Sequence, residues 1–91
     1  MKKAIRIYIF GNVQAVFFRN FIKENADKLN IKGYTRNRDE GSVECWLEGD
    51  LAKVDKLIEV CRQGPKESVI KRIDQVEEKF QGFKEFKIIY F

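Results

Sequence analysis

The sequence predicts an α+β sandwich in which two helices cover one face of an antiparallel sheet. Three observations carry that expectation. Several short stretches alternate apolar and polar residues, as half-buried strands do. Two longer stretches, one holding Phe18, Phe21, Ile22, Ala26 and Leu29 and the other Leu51, Val54, Leu57, Ile58 and Cys61, repeat apolar residues at helical spacing. The two kinds of stretch interleave as β-α-β-β-α-β, with one more strand at the C-terminal end. The 91 residues suffice for one compact core and not for two, and no linker or low-complexity stretch divides them, so residues 1–91 are expected to form a single domain.

Ala4 to Phe10 reads as the first strand, with Ile5, Ile7 and Ile9 alternating with Arg6, Tyr8 and Phe10. A glycine-led loop follows, and the first helical stripe then begins near Phe18. Asn30 closes that helix, since Asn tolerates the left-handed backbone that ends one. Ile31 to Asn37 is a short second strand, with Gly33 blurring where it starts. Arg38-Asp39-Glu40-Gly41 has hairpin-turn chemistry and leads into Ser42–Glu48, where Val43, Cys45 and Leu47 share one face and Ser42, Glu44, Trp46 and Glu48 the other. Asp50 is the expected N-cap of the second helix, and Gly64-Pro65 stops it. Ser68 to Glu78 alternates poorly and a helix fits its spacing too, but its β-branched residues favour a strand with a bulge. Phe86, Ile88 and Tyr90, set against Lys87, Ile89 and Phe91, make the last strand. Two split βαβ units in this order are the ferredoxin-like arrangement.

Composition narrows the chemistry. No run approaches the roughly 18 apolar residues of a membrane span, and Arg6 interrupts the only segment resembling a leader, so a cytoplasmic protein without a membrane partner is expected. The net charge of +4 suits an anionic substrate; because basic and acidic residues are interspersed from end to end, nucleic acid is not an expected partner. The chain contains no histidine and only two cysteines, which removes Cys–His and Ser–His catalysis and argues against a zinc-like site. Cys45 and Cys61 fall on the apolar sides of their elements and read as buried free thiols.

The candidate site begins at Gly11-Asn12-Val13-Gln14-Ala15-Val16-Phe17-Phe18-Arg19. A turn from strand into helix gathers backbone N–H groups, and the helix dipole adds partial positive charge, so an anion is the natural guest. Arg19 in the first turn adds a fork of donors suited to phosphate or carboxylate. In a split βαβ unit the first two strands run parallel, so Asn37 at the end of the second strand comes to the edge from which the loop leaves. A cationic fork and a neutral amide able to donate and accept make a coherent pair there. Phe17 and Phe18 read as packing anchors, and Gln14 as a residue that holds the loop in shape. Asn37 in this position also fits a residue that merely starts the hairpin turn.

The run Gly11 to Arg19, then Gly33-Tyr34-Thr35-Arg36-Asn37, then Glu40-Gly41-Ser42-Val43-Glu44 resembles the acylphosphatase family. Glu48-Gly49-Asp50, Gly64-Pro65 and Phe86-Lys87-Ile88 extend the resemblance over nearly the whole chain. It implies hydrolysis of acyl phosphates to a carboxylate and inorganic phosphate, without metal or cofactor, by a protein expected to be monomeric. It also implies that Arg19 binds the phosphate together with backbone N–H groups of the segment Gln14, Ala15, Val16, Phe17 and Phe18, and that Asn37 positions the attacking water. Ala15 departs from the pattern, which usually has glycine there. If that position needs a positive φ, alanine strains the loop by about 1 kcal/mol or somewhat more; if glycine only removed bulk, the methyl group fits. Independently of the resemblance, a chain without histidine suits a leaving group that needs no general acid, and a carboxylate, with a conjugate acid pKa near 4, is such a group. The alternative from another class is a ferredoxin-like module that binds a phosphometabolite or RNA with little turnover, with Tyr8, Phe10 and Trp46 as stacking candidates.

Overall fold

A computed structural model describes residues 1–12, 15–66 and 68–90. The elements run β1 (Lys2–Asn12), α1 (Ala15–Lys28), β2 (Lys32–Asn37), β3 (Val43–Asp50), α2 (Leu51–Gln63), β4 (Val69–Glu78) and β5 (Phe86–Ile89). The sheet has the order β4-β1-β3-β2-β5. Its first four strands are antiparallel neighbours, whereas β5 lies parallel to β2, so the sheet is mixed rather than wholly antiparallel. The difference has a physical cause in the connection. Residues 79–85 cross from one edge of the sheet to the other and return the chain at the end where β2 begins, with Gly33 N–H donating to the Glu85 carbonyl at 3.0 Å.

The two helices cover one face. Ile5, Ile7 and Ile9 of β1 and Val43, Cys45 and Leu47 of β3 meet Phe18, Ile22 and Ala26 of α1 and Val54, Leu57, Ile58 and Cys61 of α2 in one buried cluster. The period-2 and helical stripes of the sequence thus meet on facing layers, and that burial is the main source of stability. No helix among the described residues is long and apolar enough to cross a membrane.

Local chemistry explains the boundaries. Asn30 has φ 57°, and Ile31 N–H reaches the Ala26 carbonyl at 2.8 Å while Asn30 N–H reaches that of Asp27 at 3.2 Å, the paired bonds of a Schellman ending. Asp50 occupies the N-cap of α2 as expected, but its side chain makes no capping bond there; the N–H of Leu51 instead donates to the Met1 carbonyl at 2.8 Å. Gly33 lies inside β2 because a Cβ at that position would stand 1.8 Å from the Trp46 carbonyl oxygen. β4 carries the expected bulge: Phe10 pairs with Arg72 and Gly11 with Ile70, leaving Lys71 over. β1 runs two residues past the predicted end, through Gly11 and Asn12, which shortens the loop. At Gly11 any Cβ would lie 2.1 Å from the Val69 carbonyl oxygen.

Candidate active site

Register brings the ends of β1 and β2 together. Ile9 and Asn37 both pair with Val43, so they occupy one row across the sheet with β3 between them. At strand spacings of about 4.8 Å, Asn37 stands about 10 Å across from the strand that feeds α1. β5 approaches the same edge from the far side: Ile89 pairs with Arg36, which puts Tyr90 level with Asn37.

α1 begins at Ala15, three residues earlier than the sequence pattern suggests, so Arg19 is the fifth residue of the helix and belongs to its second turn, not its first. The first-turn N–H groups therefore come from residues 15 to 18. No acidic residue lies in that turn, which leaves its partial positive charge unopposed by a neighbouring carboxylate. Phe18, Ile22 and Ala26, all fully buried, form one continuous inward stripe along the helix. Ala15, as the first residue of α1, has helical backbone, in which φ is negative. The condition under which alanine would strain the loop is not met.

Arg19 is only 8% exposed, and its guanidinium carbon lies 4.9 Å from the centre of the Tyr90 ring. A cation over an aromatic ring at this distance is held by the ring's quadrupole, which helps fix the position of the guanidinium. Tyr90 is a residue the sequence reading did not assign to the site. The alternation put Tyr90 on one face with Phe86 and Ile88, but without the parallel placement of β5 nothing linked that face to Arg19.

Asn37 is partly buried at the end of β2, and its Oδ1 has no hydrogen-bond partner among the described residues. A buried acceptor of this kind is ordinarily satisfied by water or ligand. The turn after it is closed by Arg38 N–H donating to the Ser42 carbonyl at 2.9 Å, and by the Ser42 hydroxyl donating to the Glu40 carboxylate, whose pKa the hydroxyl lowers. Asn37 Oδ1 takes no part in these turn bonds.

The other assignments divide. Phe18 is fully buried and stacks on Phe21 with ring centres 6.1 Å apart, as a packing anchor should. Phe17 is 68% exposed and is not a packing anchor, because one residue along the helix turns its side chain about 100° away from the buried Phe18. Gln14 lies outside the described residues. Ala15 and Val16 contribute backbone to the first turn of α1.

The two thiols are buried and free. Cys45 donates to the Thr35 hydroxyl at 3.3 Å, and burial pushes its pKa up to about 12; burial likewise pushes Cys61 well above the usual thiol value. Neither is a nucleophile in this state.

Comparison with known proteins places this geometry in context. A family model described as Acylphosphatase matches residues 5–88. The chain is 38% identical over 91 residues to an acylphosphatase of Syntrophus aciditrophicus, spanning 99% of this chain and 95% of that protein. It is 42% identical over 86 residues to an acylphosphatase of Methanocella arvoryzae, spanning 94% and 98%. A crystal structure of acylphosphatase from Bacillus subtilis superposes with a TM-score of 0.92 at 34% identity, covering 99% of this chain and all of that one.

Proposed function

The chain belongs to the acylphosphatase family, and from that premise we propose that it hydrolyses acyl phosphates with Arg19 and Asn37 as the working pair. The enzyme releases a carboxylate and inorganic phosphate. In the proposed mechanism Arg19 and the first-turn N–H groups of α1 hold the phosphoryl oxygens, and Asn37 accepts a hydrogen bond from the attacking water and lines it up with the phosphorus. The leaving carboxylate has a conjugate acid pKa near 4 and departs without a general acid. Catalysis is then positioning plus electrostatic stabilisation of charge on the transferring group. The observation that most supports the pairing is the buried Oδ1 of Asn37, which has no partner among the described residues and lies on the same sheet edge as the start of α1.

Metal independence, a cytoplasmic location and a monomeric working state belong to the same proposal. The test is phosphate release from a simple acyl phosphate in the presence of EDTA. Wild type should turn over well above the uncatalysed rate. Loss of one preorganised donor or acceptor costs about 10²–10³ in kcat, the expectation for Asn37→Ala and, at the upper end, for Arg19→Ala. Ala15→Gly should stay within about threefold of wild type, because Ala15 sits in helical backbone. Wild-type activity equal to background in EDTA defeats the proposal, and an Asn37→Ala variant as active as wild type removes the water-positioning role.

A further inference from the structure

Along the chain the basic residues are dispersed, but folding gathers four arginines onto the sheet face that carries no helix. Arg6, Arg36, Arg38 and Arg72 come from β1, β2, the turn after β2, and β4. Three of them lie over aromatic rings of that face. The Arg72 guanidinium carbon is 4.1 Å from the Phe10 ring centre, Arg38 is 4.7 Å from Tyr8, and Arg6 is 5.9 Å from Tyr8 and 5.8 Å from Trp46. Tyr34 and Trp46 stack beside them with centres 6.3 Å apart. Tyr8 and Phe10 are on β1 and Trp46 is on β3, two of the three inner strands of the sheet.

Each of these four arginines is paired with a carboxylate, Arg6 with Glu78, Arg36 with Glu44, Arg38 with Glu40 and Arg72 with Asp74, so the face offers charge in balanced pairs. Glu44 accepts from Arg36 at 3.0 Å, but the glutamate side chain is 5% exposed and the arginine 37%. In the Arg6–Glu78 and Arg72–Asp74 pairs the arginine is again the more exposed partner; only Arg38–Glu40, out at the turn, is reversed. In three of the four pairs an approaching phosphate backbone therefore meets the guanidinium as the more exposed partner. At the β5 edge lies a cavity of about 450 Å³ walled by Tyr34 and Phe83 and lined also by Lys84, Glu85 and Lys87.

We propose that this helix-free face binds single-stranded nucleic acid, with bases stacked on Phe10, Tyr8, Trp46 and the arginine planes and phosphates on the guanidinium and ammonium groups. Aromatic rings supply sequence-tolerant stacking, arginine supplies both stacking and charge, and a flat sheet lets successive unpaired bases lie down together. Tyr8 and Phe10, two residues apart on one strand face, are separated by about 7 Å. A duplex keeps its bases stacked on one another and gains only the phosphate contacts. The site lies on the opposite side of the sheet from α1, so it is separate from the phosphate cradle that opens that helix.

Trp46 is the single tryptophan of the chain and sits in this face, so its fluorescence reports binding directly. Oligouridine and oligothymidine of about 12 nucleotides should quench it saturably. Affinity should fall with salt, with a log–log slope of about −0.7 per phosphate held. Saturation by either oligomer supports the proposal, and the ratio of the two affinities measures the contribution of the 2′-hydroxyl. The double variant Tyr8→Leu, Arg72→Gln should bind about tenfold or more weakly, while its acyl phosphate turnover and far-UV circular dichroism match wild type. Saturating inorganic phosphate, which competes at the cradle, should leave the quenching curve unchanged. Absence of saturable quenching, equal affinity for duplex and single strand, wild-type binding by the double variant, or displacement by inorganic phosphate would each overturn the assignment.

Discussion

Glu48 offers a test that separates the architecture of the fold from its chemistry. Its side chain is fully buried on β3, yet it is wrapped by donors: Trp46 Nε1, Gly82 N–H and Phe83 N–H at 3.0 Å, and Gln81 N–H closer still. The connection from β4 to β5 is thus held by one carboxylate set in a cup of successive backbone N–H groups. Glu48→Gln keeps the shape but turns one oxygen into an NH₂ that faces other donors. Hydrogen bonds to a charged group contribute about 1.5–3 kcal/mol each. Because residues 81–83 are exposed, water can take over their N–H groups in the variant, so the sum over four bonds overstates the loss. A destabilisation of about 2–3 kcal/mol is the expected result, a fall of roughly 10–20 °C in Tm for a domain of this size. Glu48 lies five residues along β3 from Val43, the partner of Asn37, about 17 Å away. Urea unfolding should therefore show the full loss with an unchanged m-value, while kcat measured in the folded range stays within about twofold of wild type. A Glu48→Gln midpoint corresponding to less than about 0.5 kcal/mol of change would refute the reasoning and transfer the anchoring to the Phe83 contacts with Tyr34 and Trp46.

Two further outcomes follow from contacts already described. Tyr90→Ala should raise KM for an acyl phosphate about three- to tenfold with a smaller change in kcat, since a cation–π contact contributes about 0.5–2 kcal/mol, and Tyr90→Phe should restore it; steady-state kinetics giving the alanine variant wild-type constants would exclude a positioning role for the ring. Cys45 and Cys61 have folded-state pKa values raised by burial above the ordinary 9.0, so the folded chain retains their protons where the unfolded chain loses them. Their contribution is intact below about pH 9 and declines as pH rises from there, for Cys45 toward about 12, by up to about 1.4 kcal/mol per pH unit for each thiol. Urea midpoints measured between pH 8 and 11 would check the sign, and a flat profile across about pH 9–11 would contradict it.

Most of the fold was legible because two periodicities in the sequence meet in one core. The alternation in Val43–Leu47 and the stripe of Leu51–Cys61 are each strong, and Asn30 and Gly64-Pro65 mark ends by local backbone chemistry alone. What the sequence concealed depends on tertiary context. Gly33 reads as a strand breaker until the Trp46 carbonyl is seen where its side chain would be. The parallel alignment of β5 rests on a long-range grip by Glu48, and no local pattern around Phe86 encodes it. Asn37 was legible through topology; Tyr90 was not, because its neighbour in space is 71 positions away in the chain. The early start of α1 moved Arg19 by a turn, since the exact end of a helix is poorly marked in sequence.

β5 has a consequence for how the enzyme should fail. It is four residues long and paired on one side only, and it is pinned at its start by the fully buried Phe86 while Ile88 and Ile89 are only partly covered. Such a strand opens from its far end at a cost well below that of unfolding the domain. Each opening withdraws Tyr90 from Arg19 while the rest of the core stays closed. On warming, turnover should decline several degrees before the cooperative melt, and it should track hydrogen exchange at the amides of Ile88 and Ile89 rather than at those of β1 or β3. The thermal ceiling of the reaction is then set by the fraying of an edge strand.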